Sequence, residues 1–241
     1  MFIVQCPLSG TECALVGGAG EYTMDTHQPF VITISRELGS GGRTIGRKLA
    51  AQLNVRYSDK NLIQNLMEKF NLSTYEIERI KGRKKNWLAD FVEAVAPVPN
   101  SGAFVGFDPI KGNDWNAFVK VDDIFEAESQ ILRAIADEGS CVIAGRSGFF
   151  VLKDHPNKVD IFIQAPLEKR IERVMKKQGL TRQEAQEIIE SVDKSRDNYV
   201  KRWADVSRYD ARNYDLVLNV GDMTDDEAVA IILKYLRFNN K

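Results

Sequence analysis

The apolar residues of this chain form short runs that alternate with segments of helical spacing. Four of these runs are only four to six residues long and are rich in β-branched or aliphatic residues, which is typical of buried strands. They are Phe30–Ser35, Cys141–Ala144, Val159–Ile163 and Asp215–Asn219, and Val55–Ser58 is a further short extended piece. Continuous apolar strands separated by helices predict an α/β fold with a parallel sheet covered on both faces.

Three capping boxes predict where later helices begin. In each box a hydroxyl residue stands three positions before a glutamate, so that each side chain can accept a hydrogen bond from an otherwise unpaired amide. The boxes are Ser73–Glu76, Thr181–Glu184 and Thr224–Glu227. Helical spacing also predicts a helix over residues 121–137 and another that begins near Pro166. Residues 97–116 are rich in Pro, Gly, Asn and Asp and are expected to form a loop.

Composition narrows the class of protein. The 241 residues suit one large domain with inserted segments, and residues 1–29 are expected to be a poorly ordered N-terminal extension. The net charge of −1 gives no positive electrostatic field that would attract nucleic acid or an anionic membrane. No apolar run approaches the ~20 residues that span a bilayer. The three cysteines lack metal-site spacing, and Cys141 lies in an apolar strand, so we predict a cytoplasmic protein in which Cys141 is a buried thiol.

The glycine cluster after the first strand has a defined chemical use. Residues 39–42 separate that strand from a helical segment, Thr44–Leu53. Inward-pointing amides and the partial positive charge of a helix N-terminus together form a cradle for phosphate, and glycine allows the close approach. The pattern therefore predicts a phosphate site. The alternative is that the same glycines form a tight turn that only lets the helix pack closely.

The loop departs from both common nucleotide-binding patterns. With the second glycine of G-x-x-x-x-G-K-[ST] placed at Gly41, the first glycine position holds Arg36 and the lysine position holds Gly42. We predict that Arg43 supplies the missing cation and that Thr44 supplies a hydroxyl for Mg²⁺. The dinucleotide pattern G-x-G-x-x-G also fails, because Thr44 stands at its third glycine. A dinucleotide-dependent reductase is therefore a weaker alternative.

Six strings, in order along the chain, resemble the cytidylate kinase-like family. They are Val31–Arg43, Tyr57–Ile63, Cys141–Arg146, Val159–Pro166, Asp193–Tyr199 and Tyr214–Asn219. The resemblance covers roughly residues 30–238, and it is the ordered combination that makes it specific.

The resemblance implies a three-layer P-loop kinase-like fold with a five-stranded parallel sheet, helices on both faces and a helical lid. The domain would cover residues 30–241, with an acceptor-binding insert at about 59–120 and a lid at about 178–210. The implied activity is transfer of the γ-phosphoryl group of ATP, with Mg²⁺, to CMP or a similar small acceptor. The implied partners are small nucleotides and not nucleic acid or membrane, and a homodimer is left open.

Site residues follow from the resemblance by position. The donor nucleotide would contact the loop residues Gly39, Ser40, Gly41, Gly42, Arg43 and Thr44. The acceptor would contact Arg36, Asp59, Arg146 and Asp197, the last of these in the lid. We expect Arg43, Arg146 and Arg196 to surround the transferred group, because planar guanidinium groups grip phosphate oxygens and stay protonated.

The chain departs from the family pattern at two places besides the missing lysine at Gly42. It has Gly145-Arg146-Ser147 where cytidylate kinases have Gly-Arg-Asp, so an acidic contact to the acceptor nucleoside is missing. Arg36-Glu37 replaces the usual Gly-Pro, which predicts a reshaped donor loop. Together with the missing lysine, these changes leave open a second function, a nucleotide-binding module without turnover.

Overall fold

The computed structural model describes residues 2–4, 25, 27–59 and 121–238. Its strands are β1 (Phe2–Val4), β2 (Val31–Arg36), β3 (Arg56–Asp59), β4 (Cys141–Ala144), β5 (Lys158–Gln164) and β6 (Leu216–Asn219). Its helices are α1 (Gly42–Leu53), α2 (Val121–Glu138), α3 (Gly148–Val151), α4 (Leu167–Gln178), α5 (Arg182–Ala204) and α6 (Asp225–Phe238), with a 3₁₀ turn at Ala211–Asn213.

The strands form one parallel sheet in the order β1-β6-β5-β2-β4-β3. The five strands from β6 to β3 confirm the predicted parallel core, and β2, which leads into the glycine loop, lies at its centre. The sixth strand was not predicted: Phe2–Val4 pairs with β6, with Phe2 opposite Leu216. Of the remaining residues of the N-terminal extension, 5–29, the structure describes only Asp25 and residues 27–29.

Each face of the sheet carries its own apolar core. On one face, buried side chains of β2 and β5, such as Ile32 and Ile163, pack with α1 and α6. On the other face, Phe149 of α3 and Phe162 of β5 pack with Tyr214 and with Val200 of α5. Because a strand alternates its side chains between two faces, both helix layers can bury apolar residues of the same strand. The predicted three-layer arrangement is confirmed.

Two of the predicted capping boxes are present at helix starts. At α5, the Thr181 side chain accepts from the Glu184 amide while the Glu184 side chain accepts from the Thr181 amide. At α6, the Glu227 carboxylate accepts from the Thr224 amide at 2.8 Å, and the Glu227 amide donates to the Thr224 hydroxyl at 3.2 Å. The third box, at Ser73, lies outside the described residues.

Helices α4 and α5 form a hairpin with its own small core. Ile171 and Val174 of α4 contact Ala185 and Ile189 of α5, and Leu38 of the glycine loop packs against them. The hairpin therefore touches the loop directly, although the two are separated by more than 120 residues in sequence.

The chain divides into two compact units, one made of residues 1–60 and 139–241 and the other of residues 61–138. Of the second unit, the structure describes only α2, which ends at Glu138. The predicted loop at residues 97–116 and most of the predicted acceptor insert, 59–120, lie outside the described residues.

None of the described helices has an apolar stretch long enough to cross a membrane. The predicted buried thiol is confirmed at Cys141, which is fully buried in β4. Burial raises the pKa of this thiol to about 12, so it stays protonated and inert at neutral pH.

A buried polar cluster lies beneath α3. The Asp160 carboxylate accepts hydrogen bonds from the Thr33 hydroxyl and from the Lys158 ammonium group. Lys158 also donates to the Phe149 carbonyl at 2.9 Å. Burial raises the pKa of Asp160 to about 6 in spite of the neighbouring lysine.

We predict that Asp160 makes folding stability depend on pH. Because its folded pKa lies above the ordinary value of 3.8, the folded protein binds more protons than the unfolded chain between about pH 4 and pH 6. The free energy of unfolding should therefore fall as pH rises through that window, by roughly 2–3 kcal/mol from this group. Denaturant unfolding at a series of pH values should show a smaller fall for Asp160→Asn. An equal fall in wild type and variant would contradict the assignment, and Asp222→Asn, at an exposed ion pair, is the control.

Candidate functional site

The glycine loop lies at the carboxyl edge of the sheet, between β2 and α1. Gly39 and Gly41 both have left-handed backbone conformations, with φ of 82° and 86°. A Cβ at Gly39 would lie 2.6 Å from the backbone oxygen of Arg170. Glycine is therefore required here for its conformation and also because helix α4 approaches so closely.

Arginine side chains bind the carbonyl oxygens on one side of the loop. Arg170 donates to the Leu38 carbonyl at 3.4 Å, and Arg173 donates to the Ser40 carbonyl at 2.7 Å. In a trans peptide the carbonyl and the following amide point in opposite directions. The amides of Gly39 and Gly41 are consequently turned away from these arginines.

The loop presents unpaired amides. Within the part of the chain that the structure describes, no residue accepts a hydrogen bond from the amides of Gly39, Gly41, Gly42 or Arg43. The last two belong to the first turn of α1, where helix amides have no internal partner and carry a partial positive charge. This is the donor arrangement that binds a phosphate oxygen.

Asp193 of α5 ties the loop to the helical hairpin. Its Oδ1 accepts from the Leu38 amide at 3.0 Å and from Arg196 at 3.1 Å. Its Oδ2 accepts from Arg170 at 2.6 Å. The side chain is only 8 % exposed, so these contacts compensate a charge that is largely removed from water.

Two further arginines meet at the end of β2. Arg196 of α5 and Arg208, which follows α5, donate to the Arg36 carbonyl at 3.1 and 2.6 Å. Arg208 is 4 % exposed, and its guanidinium lies over the rings of Phe162 and Tyr209 at 5.8 and 5.3 Å. Arg196 is one of the predicted site residues, whereas Arg208 was not predicted.

The side chain of Arg36 lies inside this group of cations. Burial and the neighbouring Arg196 lower its pKa to about 9, so the guanidinium still carries its charge at neutral pH. Its Nε is buried, and no described residue accepts a hydrogen bond from it. The guanidinium lies against Gly145, at the carboxyl end of the neighbouring strand β4.

Arg43 points to a different partner from the one predicted for it. Its Nε and Nη2 donate to Oδ2 of Asp59 at 3.1 and 2.8 Å, and Arg47 lies 3.5 Å from the same oxygen. Arg43 and Asp59, predicted for opposite sides of the site, thus form one ion pair at the end of β3.

The remaining predicted site residues, Arg146, Asp197 and Thr44, lie in three different parts of the structure. Arg146, whose φ is 55°, lies over the Tyr199 ring at 5.6 Å, and burial lowers its pKa. Asp197 accepts from the amide of Arg208 at 3.3 Å and from Lys201 at 2.7 Å, so its carboxylate supports the segment that carries Arg208. The Thr44 side chain is exposed on the first turn of α1.

Several residues of the site carried no sequence motif of their own. Glu37 lies inside the loop, accepts from the Ala165 amide at 3.1 Å, and has its pKa raised by burial. Arg170 and Arg173 are three residues apart and therefore share a helix face, which is a signal that the sequence did contain. Arg208 follows α5 in a segment without periodicity, and only the fold reveals that it returns to β2.

The sheet order and the glycine loop at its centre define a three-layer α/β fold of the P-loop kinase type. The sequence model of the cytidylate kinase-like family matches residues 31–222, and the chain belongs to this family.

Two relatives agree with that membership, and a third match, over a shorter stretch, has a different name. The chain is 34 % identical over 134 residues to a cytidylate kinase from Methanopyrus kandleri, a match that covers 51 % of this chain and 69 % of the relative. It is 24 % identical over 210 residues to a cytidylate kinase from Sulfurisphaera tokodaii, covering 87 % and 96 %. A uronate isomerase from Corynebacterium glutamicum is 36 % identical over 104 residues, which are 43 % of this chain but only 20 % of that protein.

A solved structure shows the same fold. The crystal structure of an uncharacterized protein from Eubacterium ventriosum has a TM-score of 0.62 and 23 % sequence identity. The match covers 86 % of this chain and 98 % of that one. At this identity the likeness concerns the fold alone.

We predict that Asp193→Asn will destabilise the protein by about 3 kcal/mol, because it removes the buried negative charge that faces Arg170, Arg196 and Arg208. Asp222→Asn makes the same chemical change at an exposed pair with Lys169, where water screens the charges, and should cost much less. Urea unfolding of the two variants compares them directly. Equal losses would show that Asp193 is no more important than a surface carboxylate.

Proposed function

We propose that this protein is a nucleotide kinase that transfers the γ-phosphoryl group of ATP to a nucleoside monophosphate, with CMP as the first candidate. The observation that carries the proposal is the loop at Gly39–Gly42. The amides of Gly39 and Gly41 are turned away from the arginines that bind its carbonyls, and no described residue accepts a hydrogen bond from them. The membership of the cytidylate kinase-like family and the relatives named cytidylate kinase support the reaction class and the acceptor.

The charges around the loop suit phosphoryl transfer. The transition state carries its charge on phosphate oxygens, so positioned cations and amides lower the barrier more than covalent chemistry does. Arg36, Arg196 and Arg208 lie together at the end of β2, and the carboxylate beside them, Asp193, is already shared between arginines. The remaining positive charge favours a polyanionic ligand.

We assign the acceptor phosphate to the carboxyl end of β4, where Arg146 follows the strand. Ligands of open α/β sheets bind at the carboxyl ends of the strands. Ser147 stands where the family has an acidic residue, and its hydroxyl is buried with no hydrogen-bond partner among the described residues. A hydroxyl can both donate and accept a hydrogen bond. Ser147 can therefore also bind an acceptor nucleotide whose base presents a group other than the amino group of cytosine.

We expect Mg²⁺ to bind together with the donor nucleotide. This ion takes oxygen ligands and is usually held by substrate phosphates and water with only one or two protein groups. A hydroxyl fits that donor set, and Thr44 therefore remains the proposed protein ligand. The described residues contain no group of three His, Cys, Asp or Glu side chains that could hold a metal on its own.

The ion pair between Arg43 and Asp59 favours a second candidate function, nucleotide binding without turnover. If Arg43 is the only substitute for the missing lysine, its engagement with Asp59 leaves the transferred phosphoryl group without that cation. The two functions differ in whether ADP is formed.

A coupled assay for ADP release over a panel of nucleoside monophosphates tests the proposal. We expect acceptor-dependent ADP formation, fastest with one pyrimidine nucleotide, and little without acceptor. ATP binding with no ADP formation for any acceptor would remove the kinase and favour the binding module. Absence of ATP binding together with NAD(P) binding would favour the reductase.

We predict that Gly39→Ala will lower ATP affinity at least tenfold, because the added Cβ would lie 2.6 Å from a backbone atom of α4 and the loop would have to move. Gly179→Ala is the matched control, since Gly179 also has a positive φ, 69°, but a Cβ there would meet nothing within 4 Å. Gly179→Ala should lose roughly 1–2 kcal/mol of stability from its backbone conformation alone. Gly39→Ala should lose more because of the added clash, and only Gly39→Ala should bind ATP poorly in calorimetric titration. Equal affinities would contradict the assignment of the loop.

A further inference from the structure

Arg36 and Gly42 are sterically coupled. A Cβ on Gly42 would lie 2.6 Å from the Cβ of Arg36 and 2.9 Å from its Cγ. The aliphatic part of the Arg36 side chain therefore fills the space in which a side chain at position 42 would begin. Position 42 is also where the general phosphate-loop pattern has its lysine.

We propose that Arg36 takes the place of the phosphate-loop lysine and provides the cation that binds the terminal phosphates of the donor nucleotide. The arginine comes from the end of strand β2 instead of from the start of α1, and it uses the space that Gly42 leaves empty. This inference rests on the proposed function, whose phosphate loop it completes, and it replaces Arg43 as the lysine substitute.

The direction of the side chain supports this role. The stem of Arg36 passes Gly42 at the start of α1, and its guanidinium reaches Gly145 at the carboxyl end of β4. A Cβ at Gly145 would overlap Nη1 of Arg36, so this second glycine also makes room for the arginine. The side chain consequently runs from the first turn of α1, where the Gly42 amide lies, to the strand end to which the acceptor is assigned.

The charge of Arg36 is not compensated within the described residues. No described residue accepts a hydrogen bond from its guanidinium, whereas Arg43 has Asp59, and Arg170 and Arg196 have Asp193. Burial lowers the pKa of Arg36 most, the charges of Arg196, Arg43 and Arg208 lower it further, and only Tyr57 acts in the opposite direction. A buried cation in such surroundings is costly unless an anion accompanies it.

The role in the reaction is electrostatic. The bond between the γ-phosphorus and the bridging oxygen of ATP breaks, a bond to an oxygen of the acceptor phosphate forms, and ADP leaves with the bridging electron pair. Arg36 neither gives nor takes a proton, since a guanidinium stays charged. It donates hydrogen bonds to phosphate oxygens on which charge develops.

Removal of the charge is the first test. We expect Arg36→Met, which keeps a stem of similar length, to lose at least tenfold in affinity for ATP and for inorganic tripolyphosphate by calorimetry. Its thermal unfolding midpoint should be unchanged or higher, because an uncompensated buried cation has been removed. Arg212→Met removes one positive charge at an exposed ion pair and should change neither affinity. Wild-type affinity in Arg36→Met would overturn the proposal, as would a lower midpoint with unchanged affinity.

A reciprocal exchange is the second test. Gly42→Lys alone should lose affinity for tripolyphosphate because its Cβ collides with the Arg36 stem, and Arg36→Gly alone because the cation is gone. The double variant Arg36→Gly/Gly42→Lys restores the general pattern, and we expect it to bind at least tenfold more tightly than either single variant. A double variant that is folded by circular dichroism and no better than Arg36→Gly would overturn the proposal.

The two proposals fail separately. Tripolyphosphate binding requires no turnover, so binding that depends on Arg36 without ADP formation would remove the kinase and keep this inference. Acceptor-dependent ADP formation at wild-type rate in Arg36→Met would keep the kinase and remove the inference.

Discussion

The candidate site depends on how arginine side chains bind the carbonyl oxygens of one loop. Arg170, Arg173, Arg196 and Arg208 each donate to a carbonyl between Arg36 and Ser40. Because a peptide group holds its carbonyl and the next amide in opposite directions, orienting the carbonyls also orients the amides. The loop can therefore present its donors to a ligand before any ligand is bound, which lowers the reorganisation cost of binding.

The arginines around the loop have carboxylate partners for only part of their positive charge. Asp193 compensates Arg170 and Arg196, and Asp59 compensates Arg43. Arg36 has no such partner among the described residues, although its Nε is buried. A structure that maximised stability would not hold a cation in this way, so the arrangement points to a ligand with several negative charges. The uncompensated charge is a local feature, because the two apolar cores on the faces of the sheet contain none of these charged groups.

The strands, the helix starts and the place of the loop could be predicted from the sequence because they follow from local patterns. The apolar runs of β2, β4, β5 and β6 lie within a residue of their predicted bounds, and the boxes at Thr181 and Thr224 begin helices as expected. The strand at Phe2–Val4 was missed because three residues carry too little pattern. The partner of Arg43 could not be predicted either, since Asp59 is sixteen residues away and reaches it only across the end of a strand.

The sequence by itself determined that a glycine loop follows the central strand and that the lysine of the general pattern is missing at Gly42. These facts are local, and periodicity and motif register suffice to read them. Only the tertiary structure decided which arginine fills the vacant space, because Arg36 precedes Gly42 by six residues and meets it only when the loop folds back over the strand. Likewise, Asp193 and Arg208 belong to the site solely because helix packing returns them to β2, and packing is a property of the whole chain and not of any one segment.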